Sequence, residues 1–106
     1  MFVRREECPL EDLGGGVRRR ILAHEGRLMQ VEVHFDEGAV GPLHSHPHEQ
    51  LTHVLSGEFD FTIGGQTRRV KAGDTLYKAP GVVHGCVCAR AGVLLDTFTP
   101  QRDVFL

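Results

Sequence analysis

The sequence predicts one all-β domain, an antiparallel sandwich or barrel of short strands. Three observations carry that reading. Apolar and polar residues alternate with a period of two over several segments, as in strands with one buried face. Glycine-rich turn chemistry, with 13 Gly among 106 residues, recurs roughly every ten residues, the spacing of sandwiches and barrels. Helical periodicity is nearly absent, and 106 residues at 41% hydrophobic content supply one core and no second domain.

Residues 1–16 are expected to form an N-terminal arm, in which only Glu6–Leu13 carries a weak helical pattern. The strand pattern begins near Val17, with Arg18–Ala23 as the first strand. Met29, Val31, Val33 and Phe35 then alternate with Gln30, Glu32 and His34 up to the turn Asp36-Glu37-Gly38. Gly41-Pro42 marks a further break. Gln50–Leu55 reads as a strand closed by Ser56-Gly57. Glu58–Ile63, Gly64-Gly65 and Gln66–Val70 read as a hairpin with a Gly-Gly turn. Thr75–Lys78 lies between Ala72-Gly73-Asp74 and Pro80-Gly81, and Gly85–Cys88 and Val93–Thr99 complete the set.

The charge balance is 14 acidic against 12 basic residues, a net −2, so no basic field exists to neutralise a run of phosphates and nucleic acid is not an expected partner. No apolar stretch approaches the roughly 20 residues of a membrane helix, and the opening Met1–Glu7 lacks the apolar centre of a signal peptide. A soluble chain without a membrane partner is expected. Cys8, Cys86 and Cys88 cannot all pair within one chain, and the last two are too close for an easy bridge. Free thiols suit a reducing compartment, so a cytoplasmic location is expected.

Histidine points to chemistry, with 7 in the chain. His44-Ser45-His46 places two imidazoles on one face of an extended segment, and Gln50 has the same parity. His84 arrives from a separate strand after Pro80-Gly81. Three imidazoles and an amide oxygen would make a neutral four-donor site with room for water or substrate, suited to zinc, nickel, iron, manganese or cobalt. His48 beside Pro47, and His53 with parity opposite to Gln50, read as ordinary residues, as do His24 and His34. Asp96 is the lone charge in an apolar strand and shares parity with Leu94 and Phe98. If that face looks into the barrel, Asp96 is a partly desolvated carboxyl placed to move protons, with Phe98 as an apolar wall. Arg102, beyond Pro100, would then return to hold a substrate carboxylate. Parity alone leaves an outward Asp96 and a surface Arg102 equally open.

Gly38, His44, His46, Gln50 and Gly57 follow G-x5-H-x-H-x3,4-E-x6-G with Gln for Glu, and Gly73, Gly81 and His84 follow G-x5-P-x-G-x2-H-x3-N with Ala79 and Cys88 as departures. In these motifs the chain resembles the cupin family, which implies a double-stranded β-helix or jelly-roll barrel. The match extends through Gly16–Arg19, Glu32–Gly41, His44–Gln50, Phe59–Gly64, Lys71–Tyr77, Val82–Cys86 and Leu94–Pro100. Over these segments it resembles the small pectin degradation cupins, which convert 4,5-unsaturated uronates into linear keto acids. The resemblance implies metal ligands at His44, His46, Gln50 and His84, catalytic residues at Asp96, Phe98 and Arg102, a small uronate substrate, and a homodimer. His53 stands where an aromatic is usual. Two other readings stay open on the same ligands: a dioxygenase acting on a small phenolic or diketone, and a non-catalytic sugar-sensing cupin. Cys86 and Cys88 share the parity of His84, but Cys-x-Cys in a strand reads as packing.

Overall fold

The computed structural model describes residues 1–106. A 3-10 turn at Arg5–Glu7 precedes eight strands, and another at Asp103–Phe105 follows them. The strands are β1 (Leu10–Gly14), β2 (Val17–Glu25), β3 (Leu28–Phe35), β4 (Val40–His44), β5 (Glu49–Ile63), β6 (Gln66–Lys71), β7 (Thr75–Lys78) and β8 (His84–Thr99). Every pairing is antiparallel.

Two long strands organise the rest. β5 and β8 pair from Glu49 opposite Thr99 to Ile63 opposite His84. The C-terminal half of β8 also borders β3, and the N-terminal half of β5 borders β7, so one layer runs β1-β2-β3-β8-β5-β7. The remaining halves border β4 and β6 and form the second layer, β4-β8-β5-β6. Phe35, Val54 and Leu94 from the first layer meet Phe59, Phe61, Cys86 and Cys88 from the second in one buried core. The architecture is the expected all-β jelly-roll barrel.

Sequence and structure differ at the two crossing points. Gln50–Leu55 and Glu58–Ile63 are halves of one strand, as are Gly85–Cys88 and Val93–Thr99. Ser56-Gly57 bends β5 through successive register shifts instead of ending it. Gly57 has φ +81, and a Cβ there would lie 2.6 Å from Gly92 Cα; one on Gly92 would lie 2.1 Å from Ser56 O. Bare backbone at both positions lets the strands stay paired while they turn from one layer into the other.

The N-terminal segment also departs from its weak helical pattern. Only Arg5–Glu7 is helical, and Leu10–Gly14 is a strand on β2. All five residues of β1 are exposed, so this edge strand has no buried face to generate an alternation. β4 escaped notice for the same reason, and its Pro42 is tolerated because β4 lies at an edge. Arg5 clamps the segment to the barrel through Glu32, Nε donating at 2.9 and 3.0 Å and Nη2 at 2.8 Å. That contact, ahead of His34, holds the Glu32 carboxyl below its ordinary range.

Replacing Gly92 by Ala drives a methyl into the backbone of Ser56. Urea denaturation is expected to show a loss of about 1–3 kcal/mol or more, the scale of overpacking; Gly65→Ala meets no neighbour but sits at φ +81, so it shows only the roughly 1–2 kcal/mol of left-handed backbone strain.

Candidate functional site

Alternate residues of β5 and β8 face the interior, and their chemistry changes along each strand. β5 turns in Gln50, Thr52 and Val54, and β8 turns in Leu94, Asp96 and Phe98 and, in its first half, His84, Cys86 and Cys88. The apolar members join the core. Gln50, His84 and Asp96 line a cavity of about 160 Å³, below the roughly 300–1,000 Å³ of clefts for drug-sized ligands. A small molecule is the size it admits.

His44 ends β4 opposite His84 at the start of β8, and His46 follows in the connection to β5. One ligand atom from each lies within 4.8 Å of the others. Each Nδ1 donates to a backbone carbonyl two residues away: His44 to Pro42 O at 2.8 Å, His46 to His48 O at 3.1 Å and His84 to Val82 O at 3.1 Å. These bonds place the proton on Nδ1 and leave the Nε2 lone pair free, as in metal-binding histidines oriented by outer partners. Burial pushes His84 down to about 4, with Lys78 adding to the effect. Burial, then Arg102, lowers His46. Both imidazoles therefore stay neutral at pH 7.

Gln50, 4% exposed, completes the donor set. Its Nε2 donates to Thr52 Oγ1 at 3.1 Å, which turns Oε1 toward His46 Nε2, also at 3.1 Å. With the His46 proton on Nδ1, two lone pairs face each other across that gap. The buried Nε2 of His84 has no partner either. A divalent cation among these atoms satisfies both, so three imidazoles and an amide oxygen fit a transition-metal ion.

Asp96 faces inward. It is 9% exposed, lines the same cavity as His44, Gln50 and His84, and accepts a hydrogen bond from Thr52 Oγ1 at 2.6 Å. Phe98 packs against the His46 ring at 5.9 Å between centroids. Arg102 also lines the cavity, its Cζ 5.7 Å from the Phe98 ring and 4.6 Å from that of Phe105. Its Nε is buried without an acceptor, and burial, then Arg19, lowers its pKa. The structure thus brings together all seven residues singled out for the site.

Sequence reasoning missed four residues beside them. Thr52 and Lys78 obey the same inward parity as Gln50 and Leu76, which marks burial but not a role. Arg19 and Phe105 do not announce themselves: the last 3-10 turn folds Phe105 between two guanidinium groups, with Arg19 Cζ 4.1 Å from its ring. Arg19 Nε is likewise buried without a hydrogen bond, 3.6 Å from Glu11 Oε1.

The other histidines stay outside the donor set. His53 is exposed, His34 contacts Glu32, and His48 contributes its carbonyl to His46. All three cysteines are free. Cys86 reaches the cavity wall, but burial pushes its thiol up to about 11, so it is no thiolate nucleophile.

The comparisons agree with this architecture. Residues 31–98 match the cupin domain. The chain is 42% identical over 103 residues, 95% of its length and 94% of the relative's, to the pectin degradation protein KdgF of Dickeya dadantii (strain 3937). Among solved structures, an RmlC-like cupin from Shewanella frigidimarina NCIMB 400 superposes with TM-score 0.96 at 41% identity, covering 99% of this chain and 95% of that one. KdgF from Halomonas sp. superposes with TM-score 0.95 at 36% identity, covering 100% and 98%. With the motifs around His44 and His84, the barrel and this likeness in hand, the chain belongs to the cupin family.

Proposed function

We propose that this protein opens the ring of 4,5-unsaturated uronate monosaccharides to give linear keto acids, without net oxidation or reduction. The observation that carries the proposal is one cavity lined by His44, Gln50 and His84 and also by Asp96 and Arg102. The likeness to two KdgF proteins, one described as a pectin degradation protein, supports it.

The substrate is a cyclic hemiacetal whose ring oxygen is bonded to an enol carbon bearing a carboxylate. Opening breaks the bond between C1 and the ring oxygen. The C1 hydroxyl loses its proton and becomes an aldehyde, the ring oxygen leaves as the enol oxygen of C5, and a proton added to C4 makes C5 a ketone. One proton is taken and one is given, so a single carboxylate suffices. Asp96, with Oδ1 engaged by Thr52, acts as that general base and acid through its other oxygen. Arg102 binds the substrate carboxylate with a guanidinium whose Nε lacks a partner in the protein, and Phe98 walls the ring away from water. His44, His46, Gln50 and His84 hold a divalent transition metal, whose charge, undiminished by any anionic ligand, supplies Lewis-acid stabilisation of developing negative charge on oxygen.

We further propose a cytoplasmic enzyme, a reading supported by its three free cysteines, and a homodimer. Exposed Met1, Phe2, Val3, Leu10 and Leu13 near the β1 edge support pairing of two copies there. Light scattering is expected to give twice the chain mass, and a monomer would contradict it.

Turnover is read as loss of the unsaturated uronate's ultraviolet absorbance. A chelator abolishes it, and an added divalent transition metal restores it. Asp96→Asn is expected to retain metal and fold while kcat falls about 10²–10⁴-fold; full activity would remove Asp96 from the mechanism. Arg102→Ala is expected to raise KM more than it lowers kcat. Oxygen uptake matching substrate loss would instead favour a dioxygenase.

A further inference from the structure

Lys78 is a buried charge in the cavity for which ring opening has no task. It is 3% exposed, its Nζ donates to Thr52 Oγ1 at 2.9 Å, and it sits 4.6 Å from the Phe61 ring centre. An ammonium has only protons to offer. Gln50 Nε2, also a donor only, reaches the same hydroxyl oxygen at 3.1 Å. Thr52, 0% exposed, carries one proton and two lone pairs on that oxygen. Both lone pairs are taken, and the proton goes to Asp96 Oδ1 at 2.6 Å.

Two consequences follow at opposite sides of this hydroxyl. The Gln50 amide is held with its nitrogen on Thr52, so its oxygen faces the imidazole cluster. A flipped amide would present donors there and lose its value as a ligand. Asp96 Oδ1 receives an O–H, so that oxygen is committed as an acceptor and the other is left for the reacting atoms.

We propose that Thr52 is a positioning residue that presents the Gln50 oxygen to the metal and the free Asp96 oxygen to the substrate, with Lys78 keeping the Thr52 proton directed at Asp96. The Asp96 half rests on the ring-opening reading; the Gln50 half rests only on Gln50 as a ligand. One hydroxyl then couples metal binding to proton transfer.

The test compares Thr52→Val, Thr52→Ser and Lys78→Met with the unmodified protein, by calorimetric titration with Co²⁺ in the absence of substrate and by uronate turnover. Thr52→Val is expected to weaken Co²⁺ binding about 10–100-fold, the usual effect of losing an outer partner of a metal ligand, and to lower kcat more than it raises KM. Thr52→Ser, which keeps the hydroxyl, restores both. Lys78→Met lowers kcat but leaves Co²⁺ affinity nearly unchanged, because the bond from Gln50 to Thr52 survives. Circular dichroism checks each fold, and Thr52→Ala replaces the valine variant if valine unfolds the barrel. Unaltered Co²⁺ affinity in Thr52→Val, or a serine variant as impaired as the valine one, overturns the proposal. If the unmodified holoprotein turns over no uronate, the ring-opening reading falls with the Asp96 half, while the Co²⁺ series still decides the Gln50 half.

Discussion

The antiparallel pairing of β5 with β8, running through its register shifts from Glu49 opposite Thr99 to Ile63 opposite His84, sets the geometry of Gln50, Thr52, His84, Asp96 and Phe98. It puts Gln50 opposite Phe98 and Thr52 opposite Asp96 in one layer, and carries His84 into the other. The strands stay paired through the bend because Gly57 and Gly92 leave their backbones bare where they meet. A turn at Ser56-Gly57 would split each strand and separate the imidazoles from the carboxylate. The barrel is thus the device that brings imidazoles, an amide and a carboxylate to one small cavity.

Charge in that cavity is unbalanced. Lys78 and Arg102 line it against the single carboxylate of Asp96, Arg19 beside them being ion-paired with Glu11 at 3.6 Å, and the buried imidazoles of His46 and His84 are held neutral. Buried cations without enough partners attract an anion, which suits a substrate with one carboxylate. Neutral imidazoles also limit competition between protons and metal, because a ligand must be deprotonated to bind. With His84 pushed down to about 4 by burial and Lys78, that competition is weak at pH 7.

The donor set was legible because it follows local rules. Two histidines and a glutamine of equal parity lie within seven positions, and His84 closes a second motif. Asp96 was legible as a charge in an apolar strand, although its inward direction needed the barrel. Thr52 and Lys78 obey the same parity, yet nothing local separates them from a core threonine and a solvated lysine. Their meaning lies in partners far along the chain, with 44 positions between Thr52 and Asp96 and 26 between Thr52 and Lys78. Arg19 and Phe105 meet only because the last 3-10 turn folds back onto β2. The edge strands β1 and β4 were invisible because exposure on both faces erases the alternation that marks a strand. Glu32 shows a related effect: it is 6% exposed on a polar face, covered by Arg5 of the N-terminal segment.

In the proposed ring opening Asp96 delivers a proton to one carbon of the opened ring inside the cavity. Nuclear magnetic resonance of product formed in D₂O, recorded early in the reaction, tests this most directly. One deuterium is expected at C4, in one of its two diastereotopic positions. Deuterium spread equally over both would mean that the enol is released and protonated by solvent, contradicting the role given to Asp96.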